Sequence, residues 1–112
     1  MVDIKLKSEG TIEIMKVTGE VDASSSIELD QAIGDVLESK DSHLIVDCTD
    51  LKYISSAGLG VFMSYIEEFK QKDRQMAIFG LNPKVRNVFE ILGLDQLLTI
   101  RETEAEAKSA VL

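Results

Sequence analysis

A single cysteine, a single histidine and a single proline occur among the 112 residues. One cysteine closes no internal disulfide, and Cys48 follows the apolar run Leu44-Ile45-Val46, where a small inert thiol is expected. With His43 as the only histidine, the side chains for a zinc or other His/Cys metal site are missing. A Ser-His-Asp arrangement would have to use His43, and no motif ties it to a nucleophilic serine. Positive charge is also short: 12 Lys plus Arg stand against 20 Asp plus Glu, a net charge of -8 and a sequence pI near 4.6. Such a balance repels phosphate backbones and anionic lipid headgroups unless a basic patch is present. Lys5 and Lys7, or Lys70 and Lys72, are too interrupted by other residues to make one. Apolar runs are short as well, none approaching the roughly 18 residues of a membrane span. Met1-Val2-Asp3-Ile4-Lys5 lacks a signal pattern, so a cytoplasmic protein without cofactors is expected.

At 45% hydrophobic and 29% charged residues, the composition is that of an ordinary globular chain, and its length fits one domain over residues 1–112. Val2, Ile4 and Leu6 alternate with polar residues up to a turn at Glu9-Gly10, and Ile12 and Ile14 resume the period of two, which predicts an opening hairpin. Met15 and Val17 carry the opposite parity, so the second strand is either covered on both faces or bulged. Ser25-Ser26-Ile27-Glu28 matches a capping box. The helix it opens shows Leu29, Ala32, Ile33, Val36 and Leu37 on one stripe. Leu44 to Val46 has no alternation and reads as a strand buried on both faces. A second helix carries Leu59, Phe62, Met63, Ile66 and Phe69, and Met76 to Phe79 is the next strand. Asn82-Pro83 then supplies a cap and a first-turn proline for a helix with Val85, Val88, Phe89 and Leu92 inward, ended by Gly93. Leu97 to Ile100 and Glu102 to Leu112 complete the order β-β-α-β-α-β-α-β-α as a last strand and helix. Strands separated by helices imply parallel crossovers, so the expected class is α/β with a mixed sheet flanked by helices.

The least generic stretch is Val46-Asp47-Cys48-Thr49-Asp50-Leu51-Lys52-Tyr53-Ile54-Ser55-Ser56-Ala57-Gly58-Leu59-Gly60-Val61-Phe62. Two serines stand where the second helix begins, beside backbone amides that have no helical partner. A phosphate there would meet free N–H groups and the positive end of the helix dipole. Gly58 and Gly60 permit close approach of another chain segment and weaken the helix, so some gain must offset them. A plainer account has one serine as an N-cap and the glycines as packing residues. The run lacks the lysine and spacing of a P-loop. Asp47 and Asp50 fit turn acceptors better than a carboxylate pair for acid-base chemistry.

Tyr53-Ile54-Ser55-Ser56-Ala57-Gly58-Leu59-Gly60-Val61, preceded by Leu44-Ile45-Val46-Asp47, resembles the phosphorylation-site region of bacterial STAS domains of the anti-sigma factor antagonist kind. Gly19-Glu20-Val21-Asp22 is similar to the family's turn before its first helix, and Asn82-Pro83-Lys84-Val85 through Leu92-Gly93-Leu94 to its third helix, so the likeness spans nearly the whole chain. The resemblance implies a STAS-like mixed sheet flanked by helices, and a serine phosphorylated by a partner that is both anti-sigma factor and kinase. By position the acceptor is Ser56. Many members have Asp before that serine and Ser or Thr after it, whereas Ser55 and Ala57 stand here, which leaves Ser55 as a competing acceptor.

On that resemblance the chain is a transcription regulator and not an enzyme. Unmodified, it would bind the anti-sigma factor through Asp22, Ala23 and Ser24 together with Ser55, Ala57, Gly58, Leu59 and Gly60, and free a sigma factor. Phosphorylation would release the partner and a protein phosphatase would reset the switch, with no direct contact to nucleic acid. Two rivals remain at this level: a STAS scaffold or transporter-associated subunit whose serine is never modified, and a nucleotide or small-ligand domain using the amides at Gly58 to Gly60.

Overall fold

The computed structural model describes residues 2–112. Strands β1 (Val2–Glu9) and β2 (Ile12–Val21) form an antiparallel hairpin with eight uninterrupted partner pairs from Val2↔Gly19 to Glu9↔Ile12. The two-residue link is Gly10-Thr11, and Gly10 at φ +59° supplies the left-handed backbone that a tight hairpin turn needs. Helix α1 (Ser26–Ser39) leads to β3 (His43–Asp47), which runs parallel to the first half of β2. Then β4 (Leu51–Ile54), α2 (Ser56–Gln71), β5 (Met76–Phe79), α3 (Pro83–Ile91), a 3-10 turn (Leu94–Gln96), β6 (Thr99–Arg101) and α4 (Glu104–Val111) follow. The sheet order is β1-β2-β3-β5-β6, parallel from β2 onward, with β4 pairing β2 outside that path. This is the mixed α/β sheet expected, with one strand more.

The additional strand, β4, lies where the sequence reads as loop. Its burial runs buried, exposed, exposed, buried, a pattern without strand periodicity. It is held by parallel pairing to Gly19–Val21, with a register shift between Gly19 and Glu20. Gly19 also pairs Val2 of β1, so β4 lies on the opposite side of β2 and takes over its edge where β3 has ended.

The parity change in β2 comes from cover on both faces and not from a bulge, since residues 12–17 pair β1 and β3 without a register shift. Met15, Val17 and Val21 enter the larger core, where they meet Leu29 and Ile33 of α1, Leu59 and Phe62 of α2, and Phe89 of α3. Ile12 and Ile14 enter a smaller core with Ile45, Ala77 and Phe79 under Ala107 and Val111 of α4. Three helices therefore cover one face and α4 the other, while the register shift bends the end of β2. Leu44 and Val46 face the first core and Ile45 the second, as a strand covered on both sides requires.

Several local expectations change. Ser25 does not cap with Glu28: it lies at φ -76°, ψ -14° and its side chain accepts no cap bond from α1. The reciprocal box sits three residues earlier, between Asp22 and Ser25. At the C-terminal end, Thr103 and Glu106 form a capping box that opens α4. The last strand begins at Thr99 because Leu94–Gln96 winds into the 3-10 turn and Leu98 is drawn into the core. Met63 and Leu92, placed on inward stripes by periodicity, are 44% and 56% exposed. Leu92 is the C-cap residue, past the last turn that faces the sheet, and Gly93 follows it. Asn82 does cap α3, its Oδ1 accepting from the Val85 N–H at 2.8 Å, with Pro83 in the first turn.

Candidate functional site

Both segments singled out above lie at one end of β2. The Ser55 N–H donates to the Val21 carbonyl at 2.8 Å, so the residue before α2 is tied to the residue before Asp22. Ser55 keeps an extended backbone at φ -84°, ψ 170°, and its Oγ accepts from the Gly58 N–H at 3.3 Å. It is the N-cap of α2. Ser56 is then the first helical residue, exposed and released from the capping task. Ala57 is exposed beside it, and Gly60 a turn later. Leu59 is buried and belongs to the core beneath, so it anchors the helix start.

Gly58 and Gly60 have different reasons. A Cβ on Gly58 would lie 2.7 Å from both Ile54 Cγ1 and Val21 Cγ1, so only glycine lets α2 begin this close to the ends of β2 and β4. A Cβ on Gly60 would meet nothing within 4 Å, so packing within the chain accounts for Gly58 and not for Gly60.

The neighbouring turn is stiff. Asp22 Oδ1 accepts from the Ser25 N–H at 2.8 Å, the Ser25 hydroxyl at 2.9 Å and the Ser24 hydroxyl at 3.0 Å. The Asp22 N–H donates to Ser25 Oγ at 2.8 Å, and the Asp22 carbonyl accepts the Ser26 N–H at 2.9 Å. The Ser25 N–H, then the Ser25 and Ser24 hydroxyls, hold the carboxyl at about 2, below its ordinary value. Asp22, Ala23 and Ser24 are exposed, whereas Ser25 is buried beneath them. A cleft of about 240 Å³ lined by Val2, Asp22, Ser24, Ser25 and Glu28 opens beside the turn.

Two side chains on this end escaped the sequence reading. Ile27, three residues beyond Ser24, is 67% exposed, and Tyr53, two before Ser55, is 51% exposed. Apolar periodicity ranks residues by the core they could join, so it passes over large side chains that join none.

The other candidate groups have ordinary tasks. Asp47 Oδ1 accepts from the Thr49 N–H at 3.0 Å and Thr49 Oγ1 at 2.7 Å, and Asp50 pairs with Lys16 at 3.1 Å. His43 Nδ1 accepts from the Gln75 N–H at 3.0 Å. Burial, and then the charge of Asp47, push the Cys48 thiol far above its usual range, which makes it a poor nucleophile. The Gly58 amide goes to Ser55 Oγ and the Leu59 amide to the Ser55 carbonyl at 3.0 Å, so neither is free to cradle a nucleotide phosphate. Among the described residues no group of three His, Cys, Asp or Glu could hold a metal ion, and no helix is long and apolar enough to cross a membrane.

The STAS domain family matches residues 3–107. An anti-sigma-B factor antagonist of Listeria monocytogenes is 31% identical over 106 residues, covering 94% of this chain and 91% of that one. An anti-sigma factor antagonist from Mycobacterium paratuberculosis superposes with a TM-score of 0.90 at 22% identity, over 99% of this chain and 94% of the other. The Bacillus cell fate determinant SpoIIAA in its phosphorylated form superposes with a TM-score of 0.72 at 19% identity, over 96% and 98%. A serine-capped helix start beside an Asp-centred turn, on this sheet and with these relatives, places the chain in the STAS domain family, among the anti-sigma factor antagonists.

Proposed function

We propose that this antagonist is a phosphorylation-controlled switch acting in the cytoplasm. The unmodified chain binds a kinase-type anti-sigma factor through the exposed start of α2 and the Asp22–Ser24 turn, and so frees a sigma factor. The observation that carries this reading is the division of labour between adjacent serines. Ser55 is half-buried and its hydroxyl is engaged as the cap, whereas Ser56 is exposed at the first helical position. A group added to Ser56 leaves the cap intact and sits at the positive end of the α2 dipole, so the fold tolerates it. The similarity to SpoIIAA, a protein known in a phosphorylated form, supports the same reading.

In the transfer, Ser56 Oγ attacks the γ-phosphorus of ATP, an O–P bond forms, the bond to the bridging β,γ oxygen breaks, ADP leaves, and a base of the kinase takes the hydroxyl proton. The product carries about -1.5 to -2 added charges on a surface that already includes Asp22. That charge and its hydration oppose docking wherever the partner places an acid or a dry contact. A phosphatase removes the group. Ile27 and Tyr53 give this surface the exposed apolar and aromatic side chains on which protein contacts commonly turn. Gly60, which no neighbour in the chain requires, gives a partner room to approach the helix backbone.

The test is incubation with candidate anti-sigma factor kinases and ATP, followed by mass spectrometric location of the phosphate. Modification of Ser56 is expected. Modification confined to Ser55, or a phosphorylated form that binds the anti-sigma factor as tightly as the unmodified one, overturns the proposal.

A further inference from the structure

One long edge of the sheet is left open. Among the described residues β1 pairs only with β2 and ends the strand order, whereas the opposite edge, β6, has three residues. Natural edge strands are blunted by prolines, bulges, shortness or charge. β1 has no proline, and its eight pairs with β2 run without a register shift; its charges, Asp3, Lys5, Lys7 and Glu9, are of both signs, so they oppose some strand pairings and favour others. Leu6 is 48% exposed, and with Ile4 and Ala32 it lines an open groove of about 310 Å³ between β1 and α1.

The hydrogen-bonding groups of β1 alternate between β2 and solvent. Closure by a two-residue turn makes Glu9 and Ile12 a mutually bonded pair, so Lys7, Lys5 and Asp3 face β2 in the same way. Val2, Ile4, Leu6 and Ser8 therefore direct their N–H and C=O groups to the free edge. Their side chains lie on the α1 face of the sheet, and those of Asp3, Lys5, Lys7 and Glu9 on the other.

We infer that this edge is a self-association site on which β1 of a second copy pairs antiparallel, about a twofold axis through Ile4. In that register Ile4 meets Ile4, Val2 meets Leu6 twice, and Asp3 meets Lys5 twice. Apolar positions lie opposite apolar ones and charges opposite their complements. A twofold through Lys5 would set Lys5 against itself, and one through Leu6 would set Lys5 against Lys7 and Asp3 against Glu9. Like charges directly opposite destabilise a strand pair, so β1's own charges select the first register. Asp3 and Lys5 already lie 4.0 Å apart on one strand and would exchange partners across the axis. The contact is isologous, which closes at a dimer. This inference is independent of the switch at Ser56.

Sedimentation equilibrium of the whole protein between about 1 µM and about 1 mM tests it. A mass rising from 12.4 kDa toward twice that value is expected. Lys5→Glu places acid opposite acid twice and should raise the dimer dissociation constant about tenfold. It should cost the monomer little, because the Lys5–Asp3 pair it removes is a long, exposed one and the new carboxylate would face Lys16 across the β1–β2 pair. The double variant Asp3→Lys/Lys5→Glu restores complementary pairs and should return the constant to near that of the parent. A monomer at every concentration, a dimer indifferent to Lys5→Glu, or a double variant that does not recover overturns the inference.

Discussion

Asp22 and Ser25 satisfy each other's backbones: Asp22 Oδ1 accepts the Ser25 N–H and Ser25 Oγ accepts the Asp22 N–H, both at 2.8 Å. This reciprocal box fixes the turn next to Ser56, and the tie from the Ser55 N–H to the Val21 carbonyl links the two. Because three donors converge on the Asp22 carboxylate, its proton affinity is lowered in the folded chain. A depressed carboxyl stabilises the fold above its unfolded pKa and loses that contribution as pH falls through the folded one. The contribution of Asp22 is therefore complete above about 3.8 and disappears as pH falls through about 2. Asp22→Asn should be less stable than the parent at neutral pH, and the gap should close in acid. Denaturant melts at several pH values read this directly, and a gap constant down to pH near 2 would refute it.

Ser55 and Ser56 should separate stability from binding. Ser55→Ala removes the α2 cap and should cost about 1 kcal/mol in urea unfolding. Ser56→Ala should leave stability nearly unchanged and bind the anti-sigma factor constitutively, whereas Ser56→Asp should bind it weakly. Calorimetric titration checks the pair, and equal affinities for the two variants would sink the switch.

The two glycines of α2 should respond in opposite senses. Gly58→Ala drives a Cβ to 2.7 Å from Ile54 and Val21, and the resulting shift should cost about 1–3 kcal/mol before the gain in helix propensity offsets part of it. Gly60→Ala enters open space and should stabilise the fold by about 0.5–1 kcal/mol. If the partner approaches the backbone at Gly60, the same variant binds less tightly. Thermal and chemical unfolding give the first comparison, and titration the second.

Arg74 closes the far end of α1. Its guanidinium donates to the carbonyls of Ser42 at 2.6 Å, Leu37 at 2.9 Å and Val36 at 3.2 Å, and lies 4.9 Å from the centre of the Phe69 ring. Arg74→Met should cost about 2–4 kcal/mol, since it strands carbonyls at a buried helix end. Arg74→Lys should recover little, because one ammonium cannot span three acceptors on two segments. Equilibrium unfolding in urea gives both differences, and a Lys variant as stable as the parent would contradict this account.

The sequence carried the hairpin, the stripe of α1 and that of α3 as far as Phe89, the doubly covered β3 and the serine run before α2, because each depends on neighbours a few residues apart. Strand and helix periods, caps and turn residues are local physics, and local physics is written along the chain. The serine run also carried the family resemblance. Only the tertiary structure decided which serine caps and which is exposed, because that depends on where Val21 anchors Ser55. It also decided that β4 is a strand, since four residues without alternation become one only when Gly19–Val21 offers its free edge. The separate reasons for Gly58 and Gly60, the burial of Arg74 and the exposure of Met63, Ile27 and Tyr53 follow the same rule. Each is a contact, or a missing contact, between segments far apart in the chain, and residue order alone does not bring such segments together.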